Sequence, residues 1–361
     1  MAAHGLDGSQ ARLPGGPLDD GEWSALRDEA GRQRVTGLLA AAVADGALPV
    51  TGGQDAEVRA AHVEAMARDL VLERLLLGVV ATLDQAGLDH RVLKGPAVAH
   101  LDFPDPALRS FIDADVLVRS EQWDGAVAAL VAAGHERQYP EPRPGWDRRF
   151  TKGTVLRTPS EHEIDLHRTF VSGPFGLTID LDDMWRRHSV LSLGGRELRA
   201  LALEERFLQA CFSAAVSDVP PRVAPLRDVA QLGLSGHLDL DRLRRTTAAW
   251  GVEAVVHRAV ELSWGAMGLG PLGRPERRGL AGWAGSLRPT RAQARALRAY
   301  TSPGDRYMSE TLGALWAIRG AREKVAYVRA LAFPDRSFVA PRYSGHLDRW
   351  RRGAKRLARD Q

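Results

Sequence analysis

Two acidic segments of this sequence carry residue types that bind divalent metal ions. The first includes Asp113 and Asp115, which stand in a mostly apolar run from Phe111 to Val118. Side chains alternate between the faces of a strand, so a strand here places both carboxylates on one face. We expect the opposite, apolar face to consist of Ile112, Ala114, Val116 and Val118. Carboxylates about 4 Å apart repel by about 4 kcal/mol at an effective dielectric constant of about 20, and a bound Mg²⁺ removes that repulsion.

The second acidic segment runs from Glu163 to His167. Alternation along a strand places Glu163, Asp165 and His167 on one face, and we expect Glu163 and His167 to line a solvated strand edge. If this strand lies near the first, Asp165 adds a third carboxylate to the same surface. Three acidic groups can hold two metal ions for an in-line phosphoryl or nucleotidyl displacement. The alternative for Asp113 and Asp115 is a solvated loop without a metal ion.

A third segment has the composition of a phosphate-binding turn. A strand-like run ends at Lys94 and Gly95, and the next residue is Pro96. A glycine between a strand and a helical turn exposes backbone N–H groups that can bind phosphate. Lys94 and Arg109 would add positive charge near a triphosphate. The alternatives are a surface position for Lys94 and an ion pair between Arg109 and one of the aspartates.

Composition excludes several other classes of protein. The chain has 361 residues, 49 Lys and Arg against 45 Asp and Glu, and a single cysteine, Cys211. One cysteine forms neither an intrachain disulfide nor a cysteine zinc cage, and it favours a cytoplasmic location. His162 and His167 do not have the spacing of a helical HExxH zinc motif. No apolar run approaches the roughly 20 residues of a membrane span, so we expect no membrane partner.

The helices and strands expected around these residues indicate an α+β fold. Its small mixed-sheet core is flanked by N-terminal helices and a mostly helical C-terminal region. Helical periodicity begins at about Trp23 and continues to Ala44. We divide the chain into a flexible tail, N-terminal helices, an α/β core, a helical domain and a basic C-terminal tail, at residues 1–20, 21–87, 88–175, 176–340 and 341–361.

These motifs together resemble a bacterial family of uncharacterised nucleotidyltransferases, within the polymerase-β-like nucleotidyltransferase superfamily. The resemblance spans about Leu88 to Tyr343 and is specific in the combination of four motifs: Leu93-Lys94-Gly95, Arg109, Asp113 to Val118, and Ile164 to His167. A segment containing Arg227 and Asp228 resembles a recurring helix of the family more weakly. The resemblance implies a nucleotidyltransferase fold for the α/β core.

The resemblance also implies roles for individual residues. Asp113 and Asp115 match the metal-binding pair of the superfamily, and Asp165 matches its third carboxylate. Gly95 matches the glycine before the nucleotide-binding turn. The sequence departs from the superfamily at Pro96, where glycine or serine is usual. Proline has no backbone N–H, so one donor to a phosphate oxygen is lost.

The resulting hypothesis is a nucleotidyltransferase that uses Mg²⁺ or Mn²⁺ and moves a nucleoside monophosphate from an NTP to a small-molecule or peptide acceptor. Its predicted catalytic and metal-binding residues are Asp113, Asp115 and Asp165, and its predicted nucleotide-binding residues are Lys94, Gly95 and Arg109. The alternative is a catalytically degenerate module that binds a partner or peptide in a biosynthetic pathway. A nucleic-acid acceptor, prompted by the basic residues at 349–359, is less favoured because a terminal basic run is usually a solvated helix face.

Overall fold

A computed structural model describes residues 1–272, 279–302 and 306–339. The strands in these ranges are β1 (His90–Val92), β2 (Ala114–Val118), β3 (Glu136–Arg137), β4 (Gly153–Arg157), β5 (Glu163–His167), β6 (Ser189–Leu193) and β7 (Arg196–Ala200). The helices up to residue 178 are α1 (Asp20–Arg32), α2 (Thr36–Ala44), α3 (Gly52–Gln85), α4 (Lys94–Asp102), α5 (Trp123–Ala132), α6 (Asp147–Phe150) and α7 (Gly173–Thr178). The later helices are α8 (Leu203–Phe212), α9 (Val223–Leu234), α10 (Leu240–Trp250), α11 (Glu253–Ala266), α12 (Gly279–Ser286), α13 (Arg291–Thr301), α14 (Arg306–Ala317), α15 (Ala321–Ala332) and α16 (Arg336–Val339).

The strands form one mixed sheet in the order β3-β4-β5-β2-β1-β7-β6. β1 and β7 are parallel, with Val92 opposite Ala200, whereas β3–β4, β4–β5 and β6–β7 are antiparallel pairs. In the sequence, helices precede the first strand of this sheet and follow its last strand. The α+β fold class predicted from the sequence is therefore confirmed.

A β-hairpin lies inside the segment that we expected to be mostly helical. β6 and β7 are joined by Gly194 and Gly195, both with positive φ angles, as a two-residue type I′ turn requires. Leu191 and Leu198 face each other across the hairpin and are buried. The Gly-Gly dipeptide between alternating apolar residues is the sequence signal for this hairpin.

The predicted helical stretch from Trp23 to Ala44 forms two helices rather than one. Helix α1 ends in a Schellman motif, in which Val35 N donates to the Ala30 carbonyl oxygen and Arg34 N donates to that of Gly31. Arg34 has a φ of 60°, in the left-handed region where glycine is the usual residue. The chain then turns into α2. Residues 32–36 at this corner include neither glycine nor proline, so their composition does not mark the break.

By internal contacts the chain divides into two compact units. The first contains the described residues within 1–80, 91–115 and 182–290. Helices α1 and α2 supply most of one of its hydrophobic clusters, whose buried members are Trp23, Ala30, Val35, Leu38, Leu39, Ala42, Val43, Leu48, Val58 and Ala224. The second unit contains the described residues within 81–90, 116–181 and 291–361. One of its clusters packs Phe150 against Ala314, Ile318 and Tyr327.

The N-terminal segment 1–20, for which we expected a flexible tail, makes specific contacts within the first unit. Arg227 Nη1 donates to the His4 carbonyl oxygen at 2.7 Å, and Ser9 Oγ donates to the Met267 carbonyl oxygen at 2.7 Å. Among the described residues, no helix is both long and apolar enough to cross a membrane. The predicted basic tail, 341–361, lies outside the described residues.

Candidate metal and nucleotide site

Asp115 lies in β2 with 1% of its side chain exposed. Its Oδ1 atom accepts a hydrogen bond from Lys94 Nζ at 2.6 Å, and its carbonyl oxygen accepts one from Leu93 N at 3.0 Å. The backbone contact fixes the end of β1 beside β2, so the lysine that follows β1 faces the aspartate. The ammonium group offsets part of the cost of burying the Asp115 carboxylate. Lys94 thus contacts a predicted metal ligand, while its binding to nucleotide remains a prediction.

The turn after β1 is tightly constrained. Lys94 has a φ of 38°, which non-glycine residues rarely adopt. A Cβ atom on Gly95 would lie 3.0 Å from Phe111 Cβ, so a larger residue there must displace the phenyl ring. Residues held in such conformations cluster at functional sites, because the surrounding structure must compensate for their strain. The position is therefore compatible with the predicted role of Gly95 in binding nucleotide.

Arg109 makes a buried ion pair with Asp228 of α9. Its Nε and Nη2 atoms donate to the two carboxylate oxygens at 2.8 and 2.9 Å, and the two side chains are 6% and 8% exposed. We considered an ion pair between Arg109 and Asp113 or Asp115 as the alternative to nucleotide binding. The structure shows an ion pair, but with Asp228, which fixes the loop that leads into β2. Direct nucleotide binding by Arg109 remains a prediction.

Asp69 of α3 holds the same loop from another direction. Its Oδ1 atom accepts a hydrogen bond from Phe111 N at 3.1 Å, and 8% of the residue is exposed. Burial, the dominant influence, raises the pKa of Asp69 to about 6, although the Phe111 N–H and the Arg109 charge favour the ionised form. The loop before β2 is thus held by two carboxylates, from α3 and α9.

In the second unit, β5 carries Asp165 and His167. Asp165 Oδ2 lies 3.1 Å from His167 Nε2 and 3.3 Å from Lys152 Nζ. His167, for which we expected a solvated strand edge, is 0% exposed, so that expectation is wrong. Glu163 is half exposed and contacts Arg157 at 3.4 Å, as expected of a solvated edge. The partner of His167 across the sheet is Gly153 of β4.

Asp115, Asp165 and His167 form a group that could hold a metal ion. One ligand atom from each lies within 4.8 Å of the other two. Two carboxylate oxygens and one imidazole nitrogen suit a divalent cation such as Mn²⁺, and carboxylates with phosphate oxygens suit Mg²⁺. Two of the three aspartates predicted from the sequence belong to this group. The histidine in it was not predicted.

Asp113 lies just before β2 rather than within it. The strand begins at Ala114, and Ile112 is 57% exposed, so the prediction that Ile112 joins the apolar face is wrong. The Asp113 carboxylate is partly buried, and its negative charge favours the ionised forms of Arg34 and Arg109. Metal binding by Asp113 remains a prediction.

The sequence analysis assigned no site role to four residues of this region: Asp69, Lys152, His167 and Asp228. The weak resemblance around Arg227 and Asp228 was a signal for the last of them. For Asp69 and Lys152 the sequence holds no comparable signal, because each stands among other charged residues and only tertiary contacts distinguish it.

The mixed sheet and its helices define an α+β protein. The group of two carboxylates and an imidazole is a candidate divalent-cation site. Residues 19–267 match the family of uncharacterised nucleotidyltransferases. The chain therefore belongs to that family, and the resemblance found in the sequence motifs is confirmed. No curated protein matches the chain.

Several solved structures are distantly similar to part of the chain. The antibiotic-resistance factor ANT(2'')-Ia is 17% identical, with a TM-score of 0.35 over 50% of this chain and 92% of that chain. The lincosamide antibiotic adenylyltransferase LnuA, solved with lincomycin bound, is 14% identical, with a TM-score of 0.30 over 44% of this chain and 93% of that chain. An antigenic nucleotidyltransferase-like protein from Paracoccidioides brasiliensis is 14% identical, with a TM-score of 0.28 over 50% of this chain and 85% of that chain.

The raised pKa of Asp69 predicts a pH dependence of stability. An unfolded aspartate titrates near 4, so the folded state binds the proton more tightly and its stability falls as the pH rises from about 4 to about 6. A shift of roughly 2 units corresponds to about 3 kcal/mol. Asp69→Asn removes this contribution while its amide oxygen still accepts from Phe111 N. We expect the variant to gain about 3 kcal/mol relative to wild type between pH 4 and pH 7.

The measurement is urea unfolding of both proteins across this pH range. Glu64→Gln on the same helix is the matched control, because Glu64 is 71% exposed and pairs only with Arg68 among the described residues. We expect the control to follow the wild-type curve. Equal pH dependence of Asp69→Asn and wild type would contradict the prediction.

Proposed function

We propose that this protein is a metal-dependent nucleotidyltransferase that moves a nucleoside monophosphate from an NTP to a hydroxyl, amine or phosphate of a small-molecule or peptide acceptor. The observation that carries the proposal is the group formed by Asp115, Asp165 and His167, whose ligand atoms lie within 4.8 Å of one another. Membership of the nucleotidyltransferase family supports the reaction class. The identity of the acceptor rests on the resemblance alone.

In this proposal Asp115 and Asp165 are the principal ligands of a Mg²⁺ or Mn²⁺ ion, with His167 beside them and Asp113 as a further carboxylate. A bound cation of this kind neutralises charge on the phosphate oxygens of the NTP. Asp165, which is 17% exposed, also accepts the proton of the acceptor group as it attacks the α-phosphate. Pyrophosphate is the leaving group, and the bond from the α-phosphorus to the bridging oxygen breaks.

The two lysines have a second role in the proposal. Lys94 Nζ lies 2.6 Å from Asp115, and Lys152 Nζ lies 3.3 Å from Asp165. Each ammonium group neutralises a carboxylate that a metal ion would also neutralise. When the cation binds, both ammonium groups become available to the phosphate oxygens of the same substrate. Before the metal and nucleotide arrive, the lysines would offset the charge of these two carboxylates.

The test uses ATP labelled at the α- or the γ-phosphate, together with Mg²⁺ or Mn²⁺ and a panel of acceptors. Transfer of the α-label to an acceptor, with the γ-label released in pyrophosphate, is the expected result. Transfer of the γ-label would indicate kinase chemistry and overturn the proposal. Calorimetry of ATP binding with and without metal needs no acceptor. If the wild type shows no metal-dependent binding, the degenerate partner-binding module is the better description.

A further inference from the structure

Arg34 occupies a backbone position at which an arginine is costly. It is the C′ residue of the Schellman motif that ends α1, with a φ of 60°. Glycine is the usual residue there, because a side chain in the left-handed conformation costs roughly 1–2 kcal/mol. A residue that breaks a local rule in this way needs a compensating contribution elsewhere. At this position, the candidate for that compensating contribution is the side chain of Arg34.

The corner that carries Arg34 packs against two segments of the candidate site in the first unit. On one side, Gln33 Oε1 accepts a hydrogen bond from Val223 N at 2.8 Å, at the start of α9. On the other side, Gly37 packs so closely on the backbone of Ala107 that a Cβ atom would overlap its carbonyl oxygen. The segment after Ala107 leads through Arg109 to the metal-binding aspartates. The corner is therefore fixed next to the loop before β2.

The charged groups that act on Arg34 are consistent with a position next to the loop before β2. Burial lowers the pKa of the partly buried Arg34 guanidinium, Asp113 and Asp115 act to raise it, and Arg109 and Arg222 act to lower it. Arg222 is exposed and pairs with Asp218 at 3.4 Å. Among the described residues, no oxygen accepts a hydrogen bond from the Arg34 guanidinium. A partly buried cation without a bonded anion is unfavourable unless a ligand supplies the anion.

We propose that Arg34 binds the β- and γ-phosphates of the nucleotide, so that the α1–α2 corner forms one wall of the triphosphate site. The inference rests on the proposed function and assigns a phosphate contact to an N-terminal helical segment outside the predicted α/β core. A guanidinium suits this role because its planar N–H groups bind two phosphate oxygens at once. Pro96 leaves the turn after β1 with one backbone donor fewer, and Arg34 supplies donors from another direction.

The decisive variant is Arg34→Gly. Glycine removes the guanidinium and is the preferred residue at this φ, so the fold keeps or gains stability. We expect the melting temperature to equal or exceed that of wild type, while the Kd for ATP with Mn²⁺ rises about 10- to 100-fold. The Kd for inorganic pyrophosphate with Mn²⁺ rises in parallel. Binding of AMP, which has no β- or γ-phosphate, changes less than about twofold.

Arg32→Ala is the matched control. Arg32 is two residues away, 65% exposed and paired with Glu29 at 2.6 Å, and we expect no change in either Kd. Unchanged binding of ATP and pyrophosphate by Arg34→Gly would overturn the inference and leave the proposed function intact. A wild type that binds neither ligand would overturn both proposals. A wild type that binds pyrophosphate through Arg34 but transfers no α-label would support the inference and overturn the proposed function.

Discussion

Asp115→Asn is expected to reduce nucleotidyl transfer by about 1000-fold or more. The substitution keeps the shape of a side chain that is 1% exposed but removes the negative charge that would hold the metal ion. Loss of a charged ligand removes several kcal/mol of transition-state stabilisation, and each 1.36 kcal/mol is a factor of ten in rate. The measurement is the initial rate of α-label transfer. Asp165→Asn should give a loss of similar size, because Asp165 belongs to the same group.

The control for this prediction is Glu163→Gln. Glu163 lies on the same strand as Asp165 and on the same face, but it is 49% exposed and contacts Arg157. We expect its rate to stay within about twofold of wild type. Manganese binding should be measured as well, because Asp115→Asn also changes the carboxylate that accepts a hydrogen bond from Lys94. A folded Asp115→Asn protein that binds Mn²⁺ and transfers label at the wild-type rate would exclude Asp115 from the metal site.

Asp228→Ala is expected to lower the free energy of unfolding by about 3–5 kcal/mol. The variant leaves the Arg109 guanidinium buried and without the carboxylate that accepts two hydrogen bonds from it. An uncompensated buried charge has a cost of this size. For a chain of this length we expect a fall of roughly 10 °C in melting temperature. The measurement is thermal unfolding followed by circular dichroism.

Two further variants show whether the effect comes from the buried charge. Asp241→Asn removes an exposed carboxylate that pairs with Arg244 at the surface, and surface pairs contribute little, so its melting temperature should be unchanged. Replacing Arg109 and Asp228 together by Met and Leu should cost less than Asp228→Ala alone, because no charge then stays buried. A larger loss in the double variant would show that Arg109 stabilises the fold independently of Asp228.

The sequence predicts the candidate site best where the local pattern breaks a rule. Asp115 and Asp165 are acidic residues inside apolar runs, and that conflict identified them. His167 could not be distinguished from Glu163, because both occupy the same face of one strand. Tertiary packing buries the His167 end of that strand and leaves the Glu163 end exposed, and a local pattern does not contain this information.

Pairings between distant segments account for the other differences. Arg109 and Asp228 are separated by six strands and four numbered helices in the sequence order, so no spacing links them. Residues 32–36 include no glycine or proline to mark the break at Arg34, and the predicted helical stretch therefore ran through it. The hairpin at Gly194 and Gly195 carried a recognisable turn signal. The predicted fold class was nevertheless confirmed, because alternation and helical periodicity determine element types independently of these contacts.

The pairing of Val92 with Ala200 has a consequence for how the chain folds. β1 is followed at once by the Lys94 turn, yet its parallel neighbour β7 is synthesised only after the whole stretch from β2 to β6. Parallel pairings between such distant segments form slowly, because a long loop must close first. During synthesis, the edge of β1 that pairs with β7 therefore stays unpaired until β7 is made, and other chains can pair with it. We expect nascent chains that end before residue 200 to be the aggregation-prone species of this protein.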